Sequence, residues 1–156
     1  LNSKRKTIGI LATTGTLASS LFHHTSSLYS GGMKVIEQDG SGIVKLIESG
    51  RLFSQQMEDW LRAKLEKMIE AEIDHLVLGC SHYPYLIPIL EKLLPQDVKI
   101  LDSGLAVAKQ TKTVLEEKQL LNQSKLEPKH IFYSNADKSV LQDILEGRYE
   151  VEELNF

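Results

Sequence analysis

One cysteine, Cys80, stands in the string Leu78-Gly79-Cys80-Ser81-His82-Tyr83-Pro84. A thiol titrates at about 8.5, near enough to neutrality to act as a base when ionised and as an acid when protonated. The apolar run before it (residues 73–80) predicts a strand. The proline after it predicts a helix over 84–94, whose N-terminal partial charge favours a thiolate. His82 lies two residues on, and in extended backbone it would share a face with Cys80 and exchange protons with it. The bland alternative is a small buried hydrophobe, the usual fate of a lone cysteine. Placement at a strand end, behind a glycine that admits close backbone approach, argues for the acid/base or nucleophilic role. His82 read blandly is a solvated helix-start residue, the fate expected of His23 and His24.

A second polar group, Thr13, Thr14 and Thr16, closes a β-rich run and opens a helix. Thr14 or Thr16 can cap that helix, which is a sufficient reason for its presence. Hydroxyls and free amides there can equally hold a carboxylate. Gly40-Ser41-Gly42 lacks the spacing of a phosphate loop and reads as a turn; Asp102-Ser103-Gly104 reads as a helix cap. No histidine stands at metal-ligand spacing from Cys80, which argues against a zinc site.

These groups need elements to hold them. Residues 6–13, 33–38, 73–80 and 98–101 predict strands, with a fifth over 130–133 and a last, weaker one over 149–154. Helices are predicted over 14–29, 43–48, 54–72, 84–94, 105–121 and 137–147. The 54–72 segment is the clearest, with Met57, Trp60, Leu61, Leu65, Met68 and Ile69 at helical spacing. The alternation implies right-handed crossovers and an α/β fold: a mainly parallel sheet with helices on both faces. Ligands bind such sheets beyond the carboxyl ends of the strands, and here those ends carry the threonines, the glycine turns and Cys80.

Composition narrows the function. A net charge of −3 on 156 residues, without a basic stripe, gives no case for nucleic acid. No apolar run long enough for a membrane span or signal peptide is present. A single cysteine excludes an internal disulfide framework and suits a reducing, cytoplasmic setting.

The string from Leu78 to Pro84, followed after a helix by Ile100-Leu101-Asp102-Ser103-Gly104, resembles the second catalytic motif of glutamate racemases, within the cofactor-independent aspartate/glutamate racemase family. Ile8-Gly9-Ile10-Leu11-Ala12-Thr13-Thr14-Gly15-Thr16 is similar to the strand and threonine-rich turn that begin that family's second half. The run Ile43 to Gly50 resembles its short helix ending in glutamate and glycine. The resemblance implies a flavodoxin-like racemase domain that interconverts L- and D-glutamate, supplying D-glutamate for peptidoglycan. Cys80 would be one of two cysteines acting on opposite faces of the α-carbon, with His82 assisting. Ser81, Thr13 and Thr16 would bind the substrate. No cofactor, neither pyridoxal phosphate nor a metal, is implied. Aspartate racemases usually carry glutamate where His82 stands, so the histidine favours glutamate over aspartate.

The departures from the family matter as much. Its first half supplies an Asp-Ser motif, a Pro-Tyr-Gly turn and a Cys-Asn-Thr motif holding the other cysteine, and none precedes Leu1. Gly40-Ser41-Gly42 stands where the family often has Ala-Cys-Pro. The expectation is therefore a half-site: residues 1–104 as the racemase's second α/β domain, and 105–156 as a C-terminal segment that in the family returns to the missing first domain. The partners implied are a small-molecule substrate (glutamate or aspartate) and the missing N-terminal half or a second copy of the chain. Other classes are a non-catalytic carboxylate-binding module and a Cys–His hydrolase, the latter needing an oxyanion hole that sequence does not locate.

Overall fold

The computed structural model describes residues 3–156. The chain divides into two compact units, Leu1–Ile47 with Arg51–Ser103, and Glu48–Gly50 with Gly104–Phe156.

The first unit is built on strands β1 (Thr7–Ala12), β2 (Lys34–Asp39), β3 (His75–Gly79) and β4 (Lys99–Leu101), all parallel in the order β2-β1-β3-β4. Every residue of β1 is buried, as expected for a central strand covered on both faces. The crossover from β1 to β2 runs through α1 (Thr14–Leu17) and α2 (Ser20–Tyr29). That from β2 to β3 runs through α3 (Ile43–Glu48) and α4 (Gln55–Glu70), in the opposite direction along the sheet. Right-handed crossovers in opposite directions set the two helix groups on opposite faces. A 3-10 turn (Tyr83–Leu86) and α5 (Ile87–Leu93) then lead to β4.

Helix α4 forms because its apolar positions repeat at helical spacing and Ser54 caps it, its hydroxyl accepting the Met57 amide at 3.2 Å. It buries Met57, Leu61, Leu65 and Met68, each worth about 2 kcal/mol by area. Trp60 and Ile69, on the same predicted stripe, lie at its margins, with Lys64 Nζ 5.1 Å above the Trp60 ring. Gly9 is where α4 meets β1: a Cβ there would lie 2.7 Å from Met68 Sδ and 2.9 Å from Ile73 Cδ1.

The second unit holds α6 (Gly104–Glu117), β5 (Ile131–Ser134), α7 (Lys138–Ile144) and β6 (Glu150–Glu153). Strands β5 and β6 are parallel and joined through α7, a single βαβ unit. The rings of Phe132 and His130 lie 5.2 and 5.6 Å from that of Tyr149. Helix α6 buries none of its residues, and Leu105 is 67% exposed.

Several predicted elements differ. The helix over 14–29 is two helices, because Thr13 and Ser19 each cap a start with their own hydroxyl. Two caps six residues apart compete with one continuous helix. The cap of the first is thus Thr13, not Thr14 or Thr16. The helix over 84–94 opens as a 3-10 turn, and its α-helical part spans seven residues from Ile87. The strands form two sheets, not one.

Candidate active site

The register fixes the site. Ala12 pairs with Asp39 on one side and with Gly79 on the other, so β1, β2 and β3 end flush. The residues just beyond, Thr13, Gly40 and Cys80, therefore stand side by side along one edge. Strand order reverses direction between β1 and β3, and such a switch point opens the crevice where flavodoxin-like sheets bind ligands. Thr13 and Cys80 flank it. Gly79 is required by packing here: a Cβ would fall 2.8 Å from the Ala12 Cβ.

Cys80 is half-buried and free. Beyond Gly79 the chain leaves the extended conformation, and residues 80–83 make a turn closed by the Tyr83 amide donating to the Cys80 carbonyl at 3.1 Å. His82 is in the right-handed helical region (φ −83°, ψ −21°). The strand alternation that would have aligned Cys80 with His82 thus ends one residue too early. A 3-10 turn and then a seven-residue helix follow the thiol, in place of one long α-helix whose dipole would act on it. Ser81 is exposed, with Oγ 3.5 Å from His82 Nδ1, a long contact.

Across the switch point, Thr13 accepts the Thr16 amide at 3.3 Å, and the two hydroxyls lie 3.0 Å apart. Capping is therefore realised, and a hydroxyl pair stands beside it. At the end of β2, Asp39 accepts from the Ser41 hydroxyl (2.8 and 2.7 Å), the Ser41 amide (3.0 Å) and the Thr14 hydroxyl (3.0 Å). The Ser41 hydroxyl, then Thr14 and the Ser41 amide, hold the Asp39 carboxyl below the usual carboxylate range. What read as a plain turn at Gly40-Ser41-Gly42 is a loop organised by Asp39.

Sequence reasoning missed two features. One is Tyr83, fully buried, whose hydroxyl donates to the Gly40 carbonyl at 3.1 Å. The other lies at the opposite end of the sheet. Asp74 accepts from the Lys4 and Arg5 amides (2.6 and 2.9 Å), the Ser3 hydroxyl (3.0 Å) and His75 Nδ1 (2.7 Å). The Arg5 amide first, then His75, Ser3 and Lys4, hold its carboxyl far below the usual range. Arg5 pairs in turn with Asp97 at 2.5 Å. Among the described residues no three His, Cys, Asp or Glu side chains converge as a metal site. Nor is any helix long and apolar enough to cross a membrane. Two surface hollows, of about 510 and 550 Å³, lie beside α4 and α5 and include none of the predicted site residues.

A parallel sheet with a thiol and hydroxyls across its switch point defines a flavodoxin-like α/β domain with a polar edge at its strand ends. The chain belongs to the Asp/Glu/hydantoin racemase family, whose sequence profile matches residues 1–111. It is 40% identical to the glutamate racemase of Pseudomonas putida strain W619 over 138 residues, covering 88% of this chain and 52% of that protein. Among solved structures it resembles Escherichia coli glutamate racemase in complex with L-glutamate and the activator UDP-MurNAc-Ala. There the TM-score is 0.80 at 25% identity, over 98% of this chain and 59% of that one. The Francisella tularensis glutamate racemase in complex with D-glutamate gives a TM-score of 0.79 at 27% identity, over 96% and 57%. The chain thus spans a little over half the length of the relatives it matches.

Proposed function

We propose that this chain supplies one side of a glutamate racemase active site, with Cys80 as one of its two acid/base groups. The observation that carries the reading is the thiol's place: half-buried, free, and across the β1/β3 switch point from the Thr13–Thr16 hydroxyl pair. Racemisation removes the proton from one face of the α-carbon and returns one to the other. Cys80 as thiolate takes the α-proton, leaving the electron pair on carbon as a planar carbanion. A second acid on the opposite face then protonates that carbon. Run in reverse, Cys80 is the acid. His82, in the same turn, relays protons between Cys80 and water. Ser81, Thr13 and Thr16 bind the substrate carboxylates through their hydroxyls and neighbouring amides. The product, D-glutamate, serves peptidoglycan synthesis in the cytoplasm. The relatives' substrate and His82 favour glutamate over aspartate.

The second acid has no cysteine to supply it within these 156 residues. It belongs to the part of the relatives that this chain does not span. Residues 105–156 fit the same reading. A lone parallel strand pair is marginal by itself, and parallel strands normally sit within a covered sheet. Strands β5 and β6 would extend a sheet that the other half provides, and α6 would cover part of it.

The test is chiral detection of D-glutamate from L-glutamate. The chain alone gives none, and co-expression with the upstream half of the Pseudomonas putida relative gives turnover that Cys80→Ala abolishes. Robust Cys80-dependent turnover by the chain alone would sink the half-site. Persistent silence of the folded, joined assembly would sink the racemase reading.

A further inference from the structure

Cys80 sits in a turn, and the turn is braced from an unexpected quarter. Tyr83 closes it through its amide and sends its side chain to the loop after β2, where its hydroxyl donates to the Gly40 carbonyl. Gly40 in turn donates its amide to Ala12, the last residue of β1, at 2.8 Å. A Cβ at Gly40 would overlap the phenol oxygen, so only glycine leaves room for the ring. Two hydrogen bonds thus connect the ends of β3, β2 and β1, which carry Cys80, Asp39 and Thr13. Burial first, then the charges of Cys80 and Asp39, push the phenol's pKa up, so the hydroxyl stays a donor at neutral pH.

We propose that Tyr83 is a positioning residue that latches the Cys80 turn to the Gly40 loop and so fixes the thiol against the Thr13–Thr16 shelf. The functional meaning of this latch rests on the acid/base role given to Cys80. An acid/base group gains its effect only when held in productive geometry, so a turn free to open would lose proton transfer before it lost the fold.

The test uses the chain as it is, with Tyr83→Phe. The Gly40 carbonyl also accepts the Ile43 amide at 3.1 Å, so the variant leaves that oxygen one partner and is expected to fold. Two readouts are followed: amide hydrogen exchange by NMR and the rate of Cys80 alkylation by iodoacetamide across pH. The expected result is a local opening. Exchange at residue 83 and Gly40, together with alkylation, rises roughly three- to tenfold, the factor that one lost hydrogen bond implies for a local equilibrium. Amides at Leu11 and Leu76, in the middle of the sheet, stay as in the unsubstituted chain. If all these amides accelerate together, Tyr83 is a stability residue only and the latch is overturned. No change anywhere overturns it equally. Should the variant fail to fold, the unsubstituted chain decides in sub-denaturing urea: Tyr83 and Gly40 amides must open with one common free energy, and separate openings refute the latch. Failure of the acid/base reading looks different. The joined assembly would then stay silent, or Cys80→Ala would leave its turnover intact, whatever the exchange pattern.

Discussion

The two ends of the four-stranded sheet are built on opposite plans. At the amino end, Asp74 takes its hydrogen bonds from the Ser3 hydroxyl, the Lys4 and Arg5 amides and His75, while the Arg5 guanidinium pairs separately with Asp97. The carboxylate is buried and its partners are protein groups, most of them from the segment entering β1. At the carboxyl end, Thr13, Thr16, Ser81 and Cys80 keep hydroxyls and a thiol at the surface or half-buried. The backbone there is tied through Ala12, Gly40 and the Tyr83 hydroxyl, and Asp39 is held by Ser41 and Thr14. A polar network saturated from within fixes a fold; a rim of polar side chains on a braced backbone is left to meet something else.

The sharpest way to break this contrast is Cys80→Ala in the assembly joined to a relative's upstream half. Racemisation should fall by roughly 10²–10⁴-fold, the scale of a lost acid/base group. Thermal unfolding should hardly move, because Cys80 lies at an edge. A large stability loss without an activity loss would put Cys80 with the structural end. Leu65→Ala probes the core between the two ends. It should cost about 2–5 kcal/mol in urea unfolding and leave the Cys80 alkylation rate of the folded fraction unchanged.

The amino end is tested by pH. The folded Asp74 carboxyl is more acidic than in the unfolded chain, so its ionisation stabilises the fold at every pH above the ordinary carboxylate range, about 4. That contribution fades as pH falls below this point toward the folded value. Stability measured for Asp74→Asn should therefore lie below the unsubstituted chain by a constant margin from pH 5 to 8. The two curves should converge in acid. Parallel curves down to pH 3 would show that Asp74 does not carry its charge as the hydrogen bonds require.

The strand-end positions of Cys80 and Thr13 were legible in the sequence and the Asp74 network was not, for a physical reason. Strand ends and glycines mark Cys80 and Thr13 locally, within about ten residues of each. The family string around Cys80 then gave those positions a chemistry that periodicity alone left open between acid/base, nucleophile and filler. Asp74, by contrast, meets residues 3–5 some 70 positions away, and nothing in Ile73-Asp74-His75 distinguishes a buried receiver of backbone amides from a polar strand start. Tyr83 is similar: its partner Gly40 lies 43 residues upstream. Local pattern also misjudged the backbone after Gly79. Residues 73–80 read as strand and 84–94 as helix, but the turn between them, which decides where His82 points, depends on the Tyr83 bracing that sequence does not show.

Thr13 gives the smallest effect and the finest discrimination, because it belongs to both plans at once. Its hydroxyl caps α1 by accepting the Thr16 amide, and it also forms the shelf facing the switch point. Thr13→Ala should cost about 1 kcal/mol of stability from the lost cap, and in the joined assembly should raise KM for glutamate. The two losses separate in Thr13→Asn. Asparagine is as good a cap as threonine or better, so stability should return, while the hydroxyl proposed to meet the substrate is gone and the asparagine amide is too long to stand in the same place. If KM stays high as stability recovers, the hydroxyl itself meets glutamate. If both recover together, Thr13 acts only by starting its helix, and the substrate shelf reduces to Thr16 and the backbone amides beside it.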